Sequence, residues 1–568
     1  MHTDSDGVVM PEAKKLDYFY NRIPSSFNCM AKPILTLLLL GFFLRADAQV
    51  YSNFPETDQF LARMAQKGII EFHDIAKPLE RKYILKSLDS VKAYSELLTG
   101  VEKKELAFYL QEFQFDRPAI GPDYTFMVRD AFNRLRAFSY RDRDFRLTID
   151  PYIITGFDQN PDSLEMVSRL GAGFQMMGYA GKNFGFQLSF RDINEYGSFD
   201  PNRIENDRPG IIRKDTANKE LLNYSQLRAW FGYSNRMLNI SAGFDKFTWG
   251  YGETGKLIVS DKAPSYPQWR VSFNPVKWLR FQYMHAWLQS GLLDSARSYG
   301  TGNTVFGGQR QFYVPKFFAT HSLQLTPFKG LDFHIGESIT YSDKLELAYL
   351  VPVTFFKAFD NLKYNDNIMT GANGQLFLGI SSRNHIPNTH LYGTLLIDEV
   401  RFSELWNRSK SRNHMGYNAG ISITDPGIPY LTLSAEYTRI TPFVYRNLLP
   451  AQNFTHSDDP LGDWMGNNAD RLTYAIRYTP LPRLKLQARY LKIRKGGAGT
   501  LEQQYFQTPQ PDFLFDYRYS REMISGFVDY EFINNAFLKF RIDFSEQMPA
   551  AGLPTKGVAS TIGFYFGL

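Results

Sequence analysis

From about residue 136 onward the chain keeps returning to one pattern: an apolar, often aromatic residue at every second position, with small, polar or charged residues between. In Asn183–Arg191, Phe184, Phe186, Leu188 and Phe190 alternate with Gly185, Gln187, Ser189 and Arg191. Leu472, Tyr474, Ile476 and Tyr478 are interleaved with Thr473, Ala475 and Arg477, and Leu484, Leu486, Ala488 and Tyr490 with Lys485, Gln487 and Arg489. Leu538, Phe540, Ile542 and Phe544 alternate with Lys539, Arg541 and Asp543. Period two is the period of a β-strand, so each run has one apolar and one polar face. In a soluble sandwich the apolar faces meet each other and the polar faces meet water. A sandwich of this length would split into domains, and no linker interrupts the pattern. The other solution is a sheet whose apolar face meets lipid and whose polar face lines a lumen. Lipid tolerates no open sheet edge, so such a sheet closes into a barrel.

Composition agrees. The chain holds 48 Phe, 34 Tyr and 7 Trp, 16% of its 568 residues, at a mean hydropathy of −0.33. A barrel gives these aromatics a place, in girdles at both membrane interfaces. No apolar run reaches the ~20 residues a membrane helix needs. At roughly 22–27 residues per strand and its share of loop, Arg136–Leu568 holds roughly 16–20 strands. Long connections such as Ile193–Leu221 and Lys495–Phe515 are expected to face outward, and tight turns inward. At the C-terminus, Val558, Ser560, Ile562, Phe564, Phe566 and Leu568 share one parity, and the chain ends on the strand. The run from Thr561 to Leu568 resembles the signal by which barrel-assembly machinery recognises its substrates, which makes that machinery an expected partner.

The N-terminal region has a different plan. Lys32 and the apolar Ile34–Leu44 precede Ala46-Asp47-Ala48. This is the layout of a secretory signal peptide, cleaved near Ala48 with Gln49 as the mature start. It begins at Met30, so residues 1–29 read as an upstream extension that carries the one cysteine, Cys29. Residues 1–48 are thus extension and signal, 49–120 a periplasmic helical segment and 121–568 the barrel. Within the helical segment Ile84, Leu88, Val91 and Leu98 recur at helical spacing, as do Leu106, Leu110 and Phe113 beyond Gly100. Pro78 sits near a helix start. Charged residues fill much of the other faces, which predicts a small packed bundle acting as a cap or plug.

Several chemistries are excluded. A net charge of +6 is small for this length and points to no nucleic-acid partner. One cysteine rules out a disulfide framework or a multi-cysteine zinc site. Gly250-Tyr-Gly252-Glu-Thr-Gly255 fits G-x-G-x-x-G, but Leu257-Ile258-Val259 follows where a dinucleotide site needs a helix, so the segment reads as a tight turn beside Trp249. His321 shares parity with Leu323 and Leu325 while Ser322 faces the other way, which argues against an adjacent catalytic dyad. No catalytic residue, metal or cofactor is expected.

Gly243–Pro264 resembles the Wzi-type capsule assembly family, which carries a Trp-Gly-x-Gly turn followed by Ser-x-x-Ala-Pro; here these are Trp249-Gly250-Tyr-Gly252 and Ser260-Asp-Lys-Ala263-Pro264. Further matches follow in order: His321, Glu337 with Tyr341, Pro352, Asp366-Asn367, Leu391-Tyr392-Gly393 with Ile397-Asp398-Glu399, Glu436-Tyr437-Thr438-Arg439, Pro442, Tyr445 and Pro460-Leu461-Gly462. Their order and number carry the resemblance, not any one of them. It implies an all-β fold, a closed transmembrane antiparallel β-barrel of about 18 strands in a Gram-negative outer membrane, surrounded by outer-membrane lipid and holding a small N-terminal helical plug. It also implies a lectin-like, non-enzymatic role in binding or anchoring surface or capsular polysaccharide. The competing classes are a channel or transporter and a gliding-motility or adhesion component.

The candidate ligand-binding residues are Trp249, Glu337, Asp366, Asn367, Asp398, Glu436, Arg439 and Trp464. Glu337 shares parity with Phe333, Ile335, Ile339 and Tyr341, which would set a carboxylate in lipid; a bulge at Gly336 would turn it into the lumen. The polar residues at or near strand ends either pair with sugar hydroxyls or knit a charge network that fills the lumen, and the network is the preferred reading. Asp458–Trp464 is expected to be an exposed loop that combines carboxylates with a tryptophan able to stack on a sugar ring. One register is also predicted. A three-residue turn at Asn534-Asn535-Ala536 would pair Glu531 with Lys539 and Asp529 with Arg541, because directly opposed residues share a face.

Overall fold

The alternating runs are strands of a computed structural model that describes residues 50–159, 166–197, 207–211, 221–302, 307–363, 371–399 and 412–567. The expected signal peptide and cleavage site, Cys29, Asp366 and Asn367 lie outside the described residues. In chain order the sheet is built from β1 (Asp123–Arg129), β2 (Leu135–Arg141), β3 (Phe145–Gln159), β4 (Met166–Ala180), β5 (Phe184–Tyr196), β6 (Leu221–Ser234), β7 (Leu238–Asp245), β8 (Tyr266–Val276), β9 (Leu279–Leu293) and β10 (Tyr313–Phe328). It continues through β11 (Leu331–Ser342), β12 (Asn373–Arg383), β13 (Thr389–Glu399), β14 (His414–Thr424), β15 (Leu431–Ile440), β16 (Ala469–Leu481), β17 (Leu484–Lys495), β18 (Tyr519–Ile533), β19 (Ala536–Pro549) and β20 (Thr555–Phe566). From β3 to β20 each strand pairs antiparallel with the next, and β20 closes on β3 from Ser560↔Gln159 to Phe566↔Ile153. The result is a closed 18-strand barrel. The free stretch of the same edge of β3 is taken by β2, from Phe138↔Ile149 to Arg141↔Arg146, and β1 pairs with β2.

Facing follows parity. Ile524, Leu538, Phe540 and Ile562 are exposed on the outer wall, whereas Ser525, Glu531 and Asp543 are buried. The predicted β18–β19 register is overturned. Asp529 lies opposite Lys539, Glu531 opposite Phe537, and Phe527 opposite Arg541. The turn is Asn534–Asn535 alone, with Asn535 in the left-handed region at φ 60°. A two-residue turn would have set inward residues against outward ones. An irregularity between Glu531 and Ile533 restores the match by adding one residue to β18. Glu531, released from Lys539, accepts the Asn535 N–H at 2.9 Å.

The short turns gather at one end, and there the helical segment docks. Helix α1 (Pro55–Gln66) opens on a proline in its first turn, α2 is Arg81–Ala93, and α3 (Gly100–Phe113) starts with a Thr99–Glu102 capping box. Gly100 is the first residue of α3, and the break from α2 lies in residues 94–99. Phe60, Leu61, Met64, Ile84, Leu88, Val91, Leu106, Tyr109, Leu110 and Phe113 form the bundle core. The polar faces are not left to water: Glu102, Glu105 and Glu112 are all buried. Arg63 pairs with Glu102 and with Asp425 in the β14–β15 turn. Gln66 donates to the Asn388 and Ser422 carbonyls at 2.9 and 2.8 Å. Arg136 of β2 holds Glu112 at 2.9 Å and Asp150 at 3.1 Å. A barrel end is polar, so a bundle that seals it needs an apolar interior and a charged exterior.

The long connections belong to the opposite end, and several fold into the lumen. Segments 246–265 and 441–468 carry Phe247, Trp249, Leu257, Val259, Tyr445, Phe454, Leu461 and Trp464 into one apolar cluster. That cluster reaches the wall at Met284 and Phe318 on one side and at Leu396, Ile440 and Ile493 on another. Segment 207–211 also enters, and Asp207 is held by Arg489 at 2.6 Å and Arg541 at 3.2 Å.

Candidate functional site

The descending loop 246–265 is shaped by its glycines. A Cβ on Gly252 would lie 1.8 Å from the Gly255 carbonyl oxygen, and Gly250 sits at φ 107°. This confirms a tight turn next to Trp249. Thr248–Trp249 pairs as a two-residue strand with Ala76–Lys77 of the helical segment. The inward loops and the plug therefore meet within the barrel.

Trp249 is 0% exposed, with its ring edge-on to Phe247 at 5.4 Å and to Phe377 at 5.6 Å. Trp464 is 6% exposed and donates its indole N–H to the Thr254 carbonyl at 2.9 Å. The expectation of an exposed Asp458–Trp464 loop is therefore corrected: Asp459, Leu461, Asp463 and Trp464 are buried. Leu461 and Trp464 belong to the lumen core, and burying a side chain of this size contributes roughly 1.5–3 kcal/mol. Neither tryptophan presents a ring to a sugar from outside.

Glu436 points inward and joins a network. It accepts from Tyr392 Oη at 2.6 Å and from the Glu253 N–H at 3.0 Å. Arg471 lies 3.6 Å from Glu436 and grips both oxygens of Asp463 at 2.9 Å. Arg477 pairs with Glu253. These pairs pin the two inward loops to the wall, which is the network reading of the strand-end charges. Asp398 accepts the Tyr445 N–H at 2.7 Å and so holds the same loop. Arg439 is not part of it. Its parity is opposite to that of Glu436, and its guanidinium stacks on Phe513 at 3.7 Å.

Glu337 is a second correction. The β10–β11 register runs unbroken through His321↔Glu337, with no bulge at Gly336. Gln324 reaches inward to His73 of the helical segment at 2.8 Å, so His321 and Glu337 face outward. The carboxylate is nevertheless buried, because Phe356 and Lys357 donate their backbone N–H groups to it at 2.6 and 3.2 Å.

Between plug and inward loops lies a polar chamber of about 430 Å³, with Asp74, Lys77, Tyr251, Glu253, Arg383 and Arg477 among its lining. Burial alone would raise the Asp74 carboxyl, but Arg383 at 2.7 Å and Lys77 carry it down to about 2. Among the described residues no cluster of three or more His, Cys, Asp or Glu side chains is placed to hold a metal ion.

Among the described residues, exposed aromatic and basic side chains meet on the outer connection at 294–302 and 307–312. Tyr299–Gly300 and Gln309–Arg310 pair as a hairpin. Arg297 and Arg310 lie over the Phe312 ring at 5.6 and 5.3 Å, and Tyr299 is 6.1 Å from it. Tyr299 is 57% exposed and Tyr313 54%. Sequence reasoning missed this group, because its residues follow no strand period and meet only through the hairpin.

The profile of the capsule assembly protein Wzi matches residues 168–543, more than half of the chain. A search of proteins with curated functions finds no match. Among solved structures the chain is similar to Wzi of Escherichia coli, described as an outer membrane protein involved in group 1 capsule assembly and a carbohydrate-binding β-barrel. The identity is 12%, the TM-score 0.56, and the match covers 92% of this chain and 99% of that one. It is more weakly similar to OccK5 (OpdH) of Pseudomonas aeruginosa, at 12% identity, TM-score 0.41 and coverage of 74% and 97%. OccAB2 of Acinetobacter baumannii stands at 10% identity, TM-score 0.41 and coverage of 74% and 97%. Those last two likenesses are too low to carry an argument. The profile match, on an 18-strand barrel with the fold of the E. coli protein, shows that this chain belongs to the Wzi capsule assembly family.

Proposed function

We propose that this barrel holds surface or capsular polysaccharide at its outer end, as a lectin-like and non-enzymatic anchor. The filled lumen is the observation that carries the reading. A helical plug at one end and inward-folded loops at the other fill the barrel and leave a polar chamber between them. Work on an extended polymer then falls to the outer surface and not to a passage. The Arg297–Tyr299–Arg310–Phe312 hairpin supplies suitable chemistry there: aromatic faces stack on sugar rings, and guanidinium groups pair with acidic substituents. The carbohydrate-binding E. coli relative supports the same assignment. Secretion through a peptide cleaved near Ala48, and recognition of the last strand by barrel-assembly machinery, are part of this proposal. N-terminal sequencing should return Gln49, and removing residues 566–568 should strand the chain in the periplasm.

The test is a glycan array with the refolded barrel. Binding to acidic surface polysaccharide is expected. It should weaken roughly tenfold, about 1.4 kcal/mol, when Arg297, Tyr299 and Arg310 are all replaced by alanine. Binding to no glycan, together with steady conductance in planar bilayers, would return the chain to the transporter class.

A further inference from the structure

One long connection behaves unlike the rest. After Ser342 the chain reverses at Asp343, in the left-handed region at φ 73°, whose N–H bonds the Pro315 carbonyl at 3.0 Å. Residues 343–363 then fold back over the outer wall. Their short helix α4 (Phe356–Lys363) starts on Glu337, and the Tyr349 carbonyl accepts from Tyr283 Oη at 2.7 Å. Tyr349 and Phe356 pack with Tyr283, Phe317, Ile339 and Tyr341, all on the outward parity of β9, β10 and β11. His321 adds its ring 4.5 Å from Phe356 and its Nε2 3.2 Å from Glu337. The anchor of this strap is therefore a carboxylate on the lipid-facing side of the wall, satisfied by backbone donors of the strap itself.

The other face of the strap carries a group of bare apolar side chains among the exposed charges of Asp343 and Lys344 at its start and Lys357 on α4. Leu347, Val353 and Leu362 are 72%, 71% and 73% exposed, and Val351 and Phe355 are exposed beside them. On the same wall the outward Phe333, Ile335, Leu378 and Ile380 of β11 and β12 are exposed too and belong to the barrel's lipid belt. The strap leaves the end opposite the short turns, which in barrels of this kind is the outer one.

We propose that residues 343–363 form a strap that lies at the acyl boundary of the outer leaflet, its exposed apolar side chains in the acyl chains and Lys344 and Lys357 turned to the headgroups, with Glu337 as its fastening. The occupant of this face is lipid hydrocarbon. Polar cover by water would leave five large apolar side chains exposed in one patch, and an interfacial amphipathic segment buries such a patch in the acyl boundary. The carboxylate is tolerated at lipid depth because the strap shields it and supplies its hydrogen bonds.

The test uses the full chain with Cys29→Ser, and single cysteines at Leu347, Val353 and Phe355 carrying a fluorophore. The probe is a vesicle of phosphatidylethanolamine and phosphatidylglycerol with brominated acyl chains. Quenching by bromine should exceed quenching by aqueous iodide several-fold, as at the wall control Ile335. The reverse ratio, as at the exposed outer-turn control Leu553, would overturn the proposal. In the Glu337→Leu background the Val353 label should move to the aqueous ratio while the heat-modifiable barrel persists. An unchanged ratio there would overturn the role of Glu337 as fastening.

Discussion

Arg471 shows what a single lumen side chain decides. It is fully buried, holds both oxygens of Asp463 and lies near Glu436. Replacing it with leucine leaves two buried carboxylates without their cation, a loss on the order of 3–5 kcal/mol. Replacing Arg471 and Asp463 together with leucine removes one orphan with its partner and should recover much of that loss. Heat-modifiability in detergent would read both variants, and a single variant no worse than the double would sink the account. The inward direction of Arg477 was legible in the sequence, because parity alone sets it, and parity also set Glu337 outward, against the bulge at Gly336 invoked to turn it inward. Their partners were not: Glu253 and the Phe356 N–H come from loops that obey no period. Trp464 was misplaced for the same reason. A polar-and-aromatic loop reads alike whether it stands in solvent or folds into a lumen.

At the scale of elements, strands and helices followed from their periods, whereas the turn register and the buried charged faces of α1–α3 did not. A bulge adds one residue without any sign in the alternation around it. The polar helix faces are buried only because a barrel end is there to cover them, which gives the plug a pH dependence. Burial would raise the Glu112 carboxyl, but Arg136, Arg81 and Arg134 bring it from 4.5 down to about 2. Asp74 falls from 3.8 to about 2. A carboxyl depressed in the folded state stabilises that state fully above its unfolded value, and the benefit is lost as pH falls through the folded value. Asp58 and Glu105 are shifted the other way, upward by burial, so protonating them works in favour of the fold. The net loss is therefore confined to the lower part of the window, from about pH 4 towards about pH 2. Limited pepsin digestion should nick α1–α3 progressively there while the barrel strands survive. A cleavage pattern constant across that range would refute the charge clamp.

For the whole molecule, the ring of strands matters less than what fills it. A range of roughly 16–20 strands was readable from length and alternation, and closure from the lipid-facing pattern, but nothing in a period tells whether a lumen is open. The structure has two seals in series, joined where Ala76–Lys77 pairs with Thr248–Trp249. The outer seal is an apolar core resting on the wall through Met284, Phe318, Leu396 and Ile493, and its loops are fastened separately through Asp463–Arg471 and Glu253–Arg477. Among the described residues it is tied to the inner seal by one short strand pair, by the Gly250 N–H on the Ile75 carbonyl at 2.9 Å, by Ile75 and Ala76 packed in the outer core, and by side-chain bonds such as Tyr251 to Asp74 at 3.0 Å. Deleting residues 50–116 should therefore leave the outer seal in place. The truncated barrel is expected to insert in planar bilayers without steady conductance, while a second deletion, of residues 250–258 at the tip of the inward loop, should open it. Each seal then suffices alone, because the outer core rests mainly on the wall and on its own loops, with Ile75 and Ala76 the plug's share of it. Conductance from the first deletion by itself would show that the outer loops stand only on the plug.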